Sequence, residues 1–344
     1  MNPIMTSLLL STIAMGTIIT MSSTHWLLAW VGLELNTLAI IPILAKQHHP
    51  RATEATTKYF LTQAAASAVL LFASTTNAWT TGTWDITQLT SEPACIMLTM
   101  ALSMKLGLAP LHFWLPEVLQ GVPLSTALII TTWQKLAPMS LLYLTHNVIH
   151  PSTLLTMGIL STLIGGWGGL NQTQTRKIMA FSSIAHLGWM ASITTINPNI
   201  LLMNLFLYII MTTTAFTMLM FTSSKTIKDL TTSWMISPST TAMLLILLMS
   251  LGGLPPLTGF VPKWLILQEL TTNHLSTTAT IMALSALLSL FFYLRISYTS
   301  TLTTFPATTQ STNKWRFSPK SNATLISLLL LPSIMILPMT PMLM

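Results

Sequence analysis

The chain has 344 residues, 51% hydrophobic and only 6% charged, with mean hydropathy +0.67. Soluble domains carry about 25% charged residues, so this composition excludes a sizeable soluble domain and indicates an all-α, polytopic membrane protein. The net charge of +7 forms no basic cluster in a soluble segment and excludes a nucleic-acid partner, and a single cysteine, Cys95, excludes an internal disulfide framework and any cysteine-based metal or iron–sulfur site.

The first apolar run, in MNPIMTSLLLSTIAMGTIIT, has no Lys or Arg before it. That argues against a cleaved secretory signal and an Arg-rich presequence, and the run reads as a retained transmembrane helix. A bacterial chain or one made inside an organelle fits this pattern, and the heavy use of Met and Thr favours the organelle. Stretches of about 20 mostly apolar residues are long enough to span a bilayer. Eleven are predicted, at 3–21, 25–45, 57–78, 93–119, 123–145, 150–170, 177–195, 198–222, 240–271, 275–296 and 323–343.

The second span, HWLLAWVGLELNTLAIIPIL, carries Glu34 about nine residues from either end. The fourth, in MLTMALSMKLGLAPLHFWLPEVLQG, holds Lys105, Pro110, His112 and Pro116. A lysine at membrane depth costs roughly 2.5–3.5 kcal/mol on insertion scales, and a proline removes a backbone donor and breaks or bends the helix. Lys135 and Pro138 lie in the fifth span, and His186 is central in the seventh, FSSIAHLGWMAS. The ninth, LGGLPPLTGFVPKWLILQEL, carries Pro255, Pro256, Pro262 and Lys263. The fourth and ninth spans therefore read as discontinuous helices of the kind that build transporter sites.

Alternating the loops between two sides tests the count. Every Lys and Arg except Lys105, Lys135 and Lys263 falls on the side of the N-terminus, while the loop at 79–92 on the other side carries Asp85 and Glu92. The positive-inside rule puts the N-terminus on the matrix or cytoplasmic side and the C-terminus opposite. The sequence also looks duplicated, since Leu108-Ala109-Pro110-Leu111 with Pro116 matches Leu254-Pro255-Pro256-Leu257 with Pro262. An odd number of helices per copy makes the second inverted. The expected architecture is thus two inverted five-helix repeats, each with a discontinuous helix, at 1–146 and 147–298. A polar linker and a C-terminal helix follow at 299–344.

The deep ionisable groups are the candidates for chemistry. Glu34 and Lys105 form the natural pair. A lysine balanced between burial, which disfavours its charge, and a nearby carboxylate, which favours it, can take up and release a proton. Snorkelling suits Lys46 and Lys58 but not Lys105 or Lys135, whereas Lys263 stands eight residues from the end of its span and either account fits it. His112 and His186 are candidate proton relays or hydrogen-bonded packing residues. The chain has no P-loop, no G-x-G-x-x-G and no helical H-E-x-x-H. Glycines 165, 166, 168 and 169 in LIGGWGGLNQ read as helix-packing positions.

Four stretches, HWLLAWVGLELN, MKLGLAPLHFWLPEVLQG, KIMAFSSIAHLGWM and SLGGLPPLTGFVPKWLILQEL, resemble the chain 2 family of mitochondrial NADH–ubiquinone oxidoreductase, respiratory complex I. The resemblance spans essentially the whole chain. The family is antiporter-like and is similar to subunits of multi-subunit cation/proton antiporters. Its vertebrate form lacks three N-terminal helices of bacterial relatives and has eleven helices, as predicted above.

The resemblance implies a core membrane-arm subunit that translocates protons while other subunits carry electrons from NADH to ubiquinone. Glu34 and Lys105 match the family's glutamate–lysine pair, Lys135 the lysine linking two half-channels, and Lys263 the lysine on the second broken helix. His112 and His186 match polar positions on the central hydrophilic axis. No cofactor is expected in this chain, the complex using FMN, iron–sulfur clusters and ubiquinone elsewhere. Implied partners are other membrane-arm subunits, including neighbouring antiporter-like ones, accessory subunits, and membrane lipid such as cardiolipin. The implied location is the mitochondrial inner membrane. A free-standing cation/proton antiporter and a structural subunit needed only for assembly are the alternatives.

Overall fold

The computed structural model of the chain describes residues 2–235, 237–302 and 324–340. All named elements within them are helical, and only two isolated bridges, His25 with Asp85 and Gln174 with Thr226, join extended backbone. Five helices are long and apolar enough to cross a membrane: α1 (Pro3–Ser22), α2 (Trp26–Leu44, continued by a short 3₁₀ turn), α3 (Pro50–Thr81), α10 (Pro198–Phe221) and α14 (Ser276–Leu302). Of the linker expected at 299–322, residues 299–302 continue α14, and the remainder, with Lys314, Arg316 and Lys320, lies outside the described residues.

The chain forms two compact units. The first comprises 1–161 and 187–198. Here α1 lies along α2 through two glycines; a Cβ on Gly16 would come within 2.8 Å of the Gly32 carbonyl, and one on Gly32 within 2.8 Å of the Gly16 carbonyl. Two histidines at span ends are caps: His25 accepts a hydrogen bond from the Leu27 N–H at the start of α2, and His49 one from the Arg51 N–H at the start of α3. α3 packs on α2 and on both halves of the fourth span, α4 (Glu92–Leu106) and α5 (Trp114–Gly121). The fifth span is also broken, at Thr132, into α6 (Leu124–Thr131) and α7 (Trp133–Leu144), where a continuous helix was expected.

The second unit comprises 162–186 and 199–344. It receives parts of α8 (Pro151–Gly169) and α9 (Thr175–Ile193), then α10, a short α11 (Ile227–Thr232), the two halves of the ninth span, α12 (Pro238–Gly252) and α13 (Phe260–Thr272), α14, and α15 (Thr324–Met335). The glycine-rich end of α8 is a packing surface; a Cβ on Gly165 would lie 2.7 Å from the Ala185 nitrogen, and one on Gly169 2.7 Å from the Phe292 ring. Arg295 donates to the carbonyls of Leu170 and Gln172 just beyond that end. α11 opens with a capping box. The Thr226 hydroxyl accepts from the Asp229 N–H, and the Asp229 carboxylate accepts from the Thr226 N–H at 2.8 Å and the Lys225 N–H at 3.1 Å. Partial burial pushes the Asp229 carboxyl upward, and these hydrogen bonds outweigh it and hold it below its ordinary value.

The two discontinuous helices stop in the same way. α4 ends at Gly107 with φ +78°, and α12 ends at Gly253 with φ +83°. Only glycine adopts this left-handed conformation without a steric cost. In each case the N–H of the glycine and that of the next residue fold back on one carbonyl, Ser103 at 2.8 and 2.9 Å and Met249 at 3.2 and 3.4 Å. Each stop is followed by a proline, Pro110 or Pro255, which cannot resume the helix and bars the residue before it from helical geometry.

Candidate functional site

In the first unit, Glu34 sits mid-helix on α2 and is half-buried. Its carboxylate meets hydroxyls rather than an ammonium. One oxygen accepts from Ser67 of α3 at 2.6 Å and the other from Thr37, one turn along α2. These donors replace the water that a carboxylate loses in an apolar bundle. Lys105, in the last turn of α4, is only 4% exposed, and its ammonium makes no hydrogen bond. Its ammonium and the Glu34 carboxylate form no ion pair. The negative end of the α4 dipole lies at the same turn and favours a cation there.

Lys135, on the first turn of α7, is 1% exposed. Its ammonium donates to the carbonyl of Leu106, the last residue of α4, and lies 5.5 Å from the centre of the Trp114 ring. Trp114, the first residue of α5, turns its indole N–H back to the Met104 carbonyl at 3.1 Å. The indole therefore ties the two halves of the broken helix together while its face meets the ammonium. His112 is buried in the turn between the halves, with Nδ1 3.2 Å from the Pro110 carbonyl.

In the second unit, Lys263 is 8% exposed and folds back from α13 to donate to the Gly252 carbonyl at 2.8 Å. It therefore does not snorkel. Buried His186 of α9 packs on Tyr208 with ring centres 5.6 Å apart.

Lys135 and Lys263 occupy the same local position. Each ammonium rests on the carbonyl just before the left-handed glycine, Leu106 before Gly107 and Gly252 before Gly253. The elements differ: Lys263 comes from the second half of its own broken helix, whereas Lys135 comes from α7. Glu117, which aligns with Lys263 in the repeat, turns outward and pairs with Lys58 at 2.7 Å. Lys58 also bonds Glu54, so two carboxylates hold a lysine whose side chain is still 41% exposed.

The comparisons with known proteins agree with one another. The family model for the NADH:quinone oxidoreductase/Mrp antiporter transmembrane region matches residues 23–289, and that for the NADH dehydrogenase subunit 2 C-terminus matches 290–344. NADH-ubiquinone oxidoreductase chain 2 of Varanus timorensis is 61% identical over 342 residues, which cover 99% of each chain. The chain belongs to the NADH-ubiquinone oxidoreductase chain 2 family. The same-named protein of Xenopus laevis, also in the chain 2 family, is 58% identical over 342 residues, covering 99% of each chain. A chain in the solved structure of respiratory complex I from Thermus thermophilus with bound aureothin is 28% identical, with a TM-score of 0.81 over 98% of this chain and 80% of that one.

For this member of the chain 2 family, sequence reasoning missed Trp114 and a group of amides near Lys105 and Lys135, the buried Asn36 and Gln63 and the half-buried Gln134. A signal was present. Asn and Gln inside apolar runs are costly unless partnered, and Asn36 and Gln134 stand beside the very residues singled out for their charge.

Proposed function

We propose that the chain is a core membrane-arm subunit of respiratory complex I that translocates protons, driven by electron transfer from NADH to ubiquinone in other subunits. The observation that carries this reading is the placing of two buried lysines on the freed carbonyls of two broken helices. Structural packing needs no such groups, and burying an ammonium is costly.

The chemistry follows from the positions. Glu34 is half-buried at mid-span, so a neighbouring subunit can change the field at its carboxylate. That change alters what Lys105 experiences, and Lys105 passes its proton to Lys135. Lys263, with His186 beside it, serves the second half of the path, and His112 serves the first break. Moving one charge against the membrane potential takes about 2.3 kcal/mol per 100 mV, and the displaced charge at Glu34 supplies the work. FMN, iron–sulfur clusters and ubiquinone belong to other subunits; one cysteine, buried in α4, fits no cluster.

The finer architecture is part of the same proposal. We read eleven membrane crossings in two inverted repeats, 1–146 and 147–298, with 299–344 as linker and final helix. The matching glycine stops and lysine contacts support the repeat. The location is the mitochondrial inner membrane, with the N-terminus in the matrix and the C-terminus in the intermembrane space. Neighbouring antiporter-like subunits, accessory subunits and lipid, cardiolipin included, surround it.

The test is proton pumping per electron in proteoliposomes, using assembled complex with Lys105→Ala. Lower pumping with electron transfer retained, or both lost together, supports the scheme. Unchanged pumping and electron transfer would make Lys105 structural and favour a scaffold subunit.

A further inference from the structure

The turn that breaks the ninth span, residues 253–259, is held at three points. Lys263, near the start of α13, donates to the Gly252 carbonyl at 2.8 Å and so ties the far side of the break to the end of α12. Gly259 closes on the same end. A Cβ there would lie 1.8 Å from the Ser250 carbonyl oxygen, so only glycine lets the backbone come this near. The third point lies outside the break: the Thr258 hydroxyl donates to the carbonyl of Ser333 in α15 at 2.5 Å. Thr258 is 1% exposed and Ser333 is fully buried. The Met211 sulfur of α10 lies beside this contact, 3.7 Å from the Thr258 hydroxyl and 3.8 Å from that of Ser250. Ser333 is among the last four residues of α15, whose carbonyls have no partner within the helix. A membrane interior offers such a group no water, and Thr258 supplies the donor. The first break is held differently. The alignment that puts Pro256 on Pro110 puts Thr258 on His112, and His112 closes on a carbonyl of its own turn, that of Pro110.

We propose that Thr258 is a positioning residue for Lys263: its bond to α15 fixes the turn, and the fixed turn keeps the Lys263 nitrogen on the Gly252 carbonyl. The role rests on the function proposed above and deepens it. Thr258 faces two ways. Its hydroxyl holds α15, while its carbonyl accepts from the Val261 N–H at 3.3 Å and so joins the start of α13. Between Thr258 and Lys263 lie only Gly259, pinned on α12, and the first residues of α13. A shift at Thr258 is therefore carried to the amine rather than absorbed by slack chain. The final helix, which has no ionisable side chain of its own between Thr324 and Met335, thus sets the geometry of a buried lysine on another element.

The test uses assembled complex with Thr258→Val, which keeps the shape and removes the donor, and with Thr258→Ser, which keeps the donor. The readouts are kcat and KM of coupled turnover in proteoliposomes, the thermal inactivation midpoint, and a map that shows the Lys263 side chain. Thr258→Val is expected to cut coupled kcat about tenfold, equivalent to about 1.4 kcal/mol, with KM unchanged and the Lys263 nitrogen off the Gly252 carbonyl. Thr258→Ser should restore both. A hydroxyl that only capped α15 would lower the midpoint and leave kcat and Lys263 as in the wild type, and that result overturns the inference. Equal losses of kcat in Thr258→Val and Thr258→Ser overturn it too. Thr258→Cys, a weaker donor, takes the place of Thr258→Val if the latter does not assemble; reduced kcat then supports the inference and wild-type kcat overturns it. If Lys105→Ala lowers pumping while Thr258→Val turns over as the wild type, the proposed function stands and the positioning role falls. If both pump as the wild type, the proposed function falls as well.

Discussion

Gly107→Ala and Gly253→Ala make the same chemical change at equivalent backbone positions, yet they should differ in effect. A side chain in the left-handed conformation costs about 1–2 kcal/mol, and both variants bear it. At Gly107 the new methyl meets the Trp114 ring at 3.4–3.6 Å, an ordinary contact, so the backbone cost is the whole effect. At Gly253 it would lie 3.0 Å from Cδ and Nζ of Lys263, which must shift away from the Gly252 carbonyl. A hydrogen bond from a charged group is worth about 1.5–3 kcal/mol, so losing it raises the total to as much as about 5 kcal/mol. Thermal inactivation of the assembled complex and proton pumping per electron measure both consequences. Gly107→Ala should lower the inactivation midpoint slightly and keep pumping. Gly253→Ala should lower it further and reduce pumping. With Lys263→Met in the background, Gly253→Ala should cost no more than Gly107→Ala. Equal losses for the two variants in the wild-type background would refute the reasoning.

Three further outcomes are expected. Gly32→Ala should cost about 1–3 kcal/mol by overpacking, because a Cβ there meets the Thr20 methyl at 2.6 Å and the backbone carbonyl of Gly16 at 2.8 Å; faster proteolysis of α1 would register the loosened pair. Trp114→Phe should keep the ring against Lys135 but leave the Met104 carbonyl with only the Gly107 N–H at 3.2 Å, lowering the inactivation midpoint without changing pumping, whereas Trp114→Leu should change both. Asp229 has a folded-state pKa below its unfolded value, so the stability it gives is present above the ordinary carboxylate range, about pH 4, and is lost as pH falls through the depressed folded value. Protection from hydrogen exchange at residues 226–232, taken relative to the intrinsic exchange rate at each pH, should therefore fall on acidification, and Asp229→Asn should remove that dependence.

Much of the fold was legible because a bilayer leaves a chain few options. Apolar runs of the right length became helices, and the prolines at 110 and 255–256 marked both breaks. The break at Thr132 was not legible, since Pro138 lies well inside α7 and no glycine marks the stop. Burial of Lys105 and Lys135 could be read from their depth, whereas that of Lys263 required the structure, because eight residues from a span end allow a lysine either course. Glu34 was legible as a deep acid, but its partners Thr37 and Ser67 were not. Hydroxyls are frequent in these helices, and most satisfy carbonyls of their own turn, so nothing in the sequence distinguishes the two that hold a carboxylate.

The contacts of Lys135 and Lys263 with backbone carbonyls bear on what a lysine does when its charge changes. An ion pair with a carboxylate weakens once the amine becomes neutral, and the side chain is then released. A carbonyl is itself uncharged, and a neutral amine still has two N–H bonds to offer it. The anchor therefore survives in either protonation state, and the nitrogen stays at the end of its broken helix with its lone pair free to receive the next proton. Position is fixed by the backbone, and charge is left to vary.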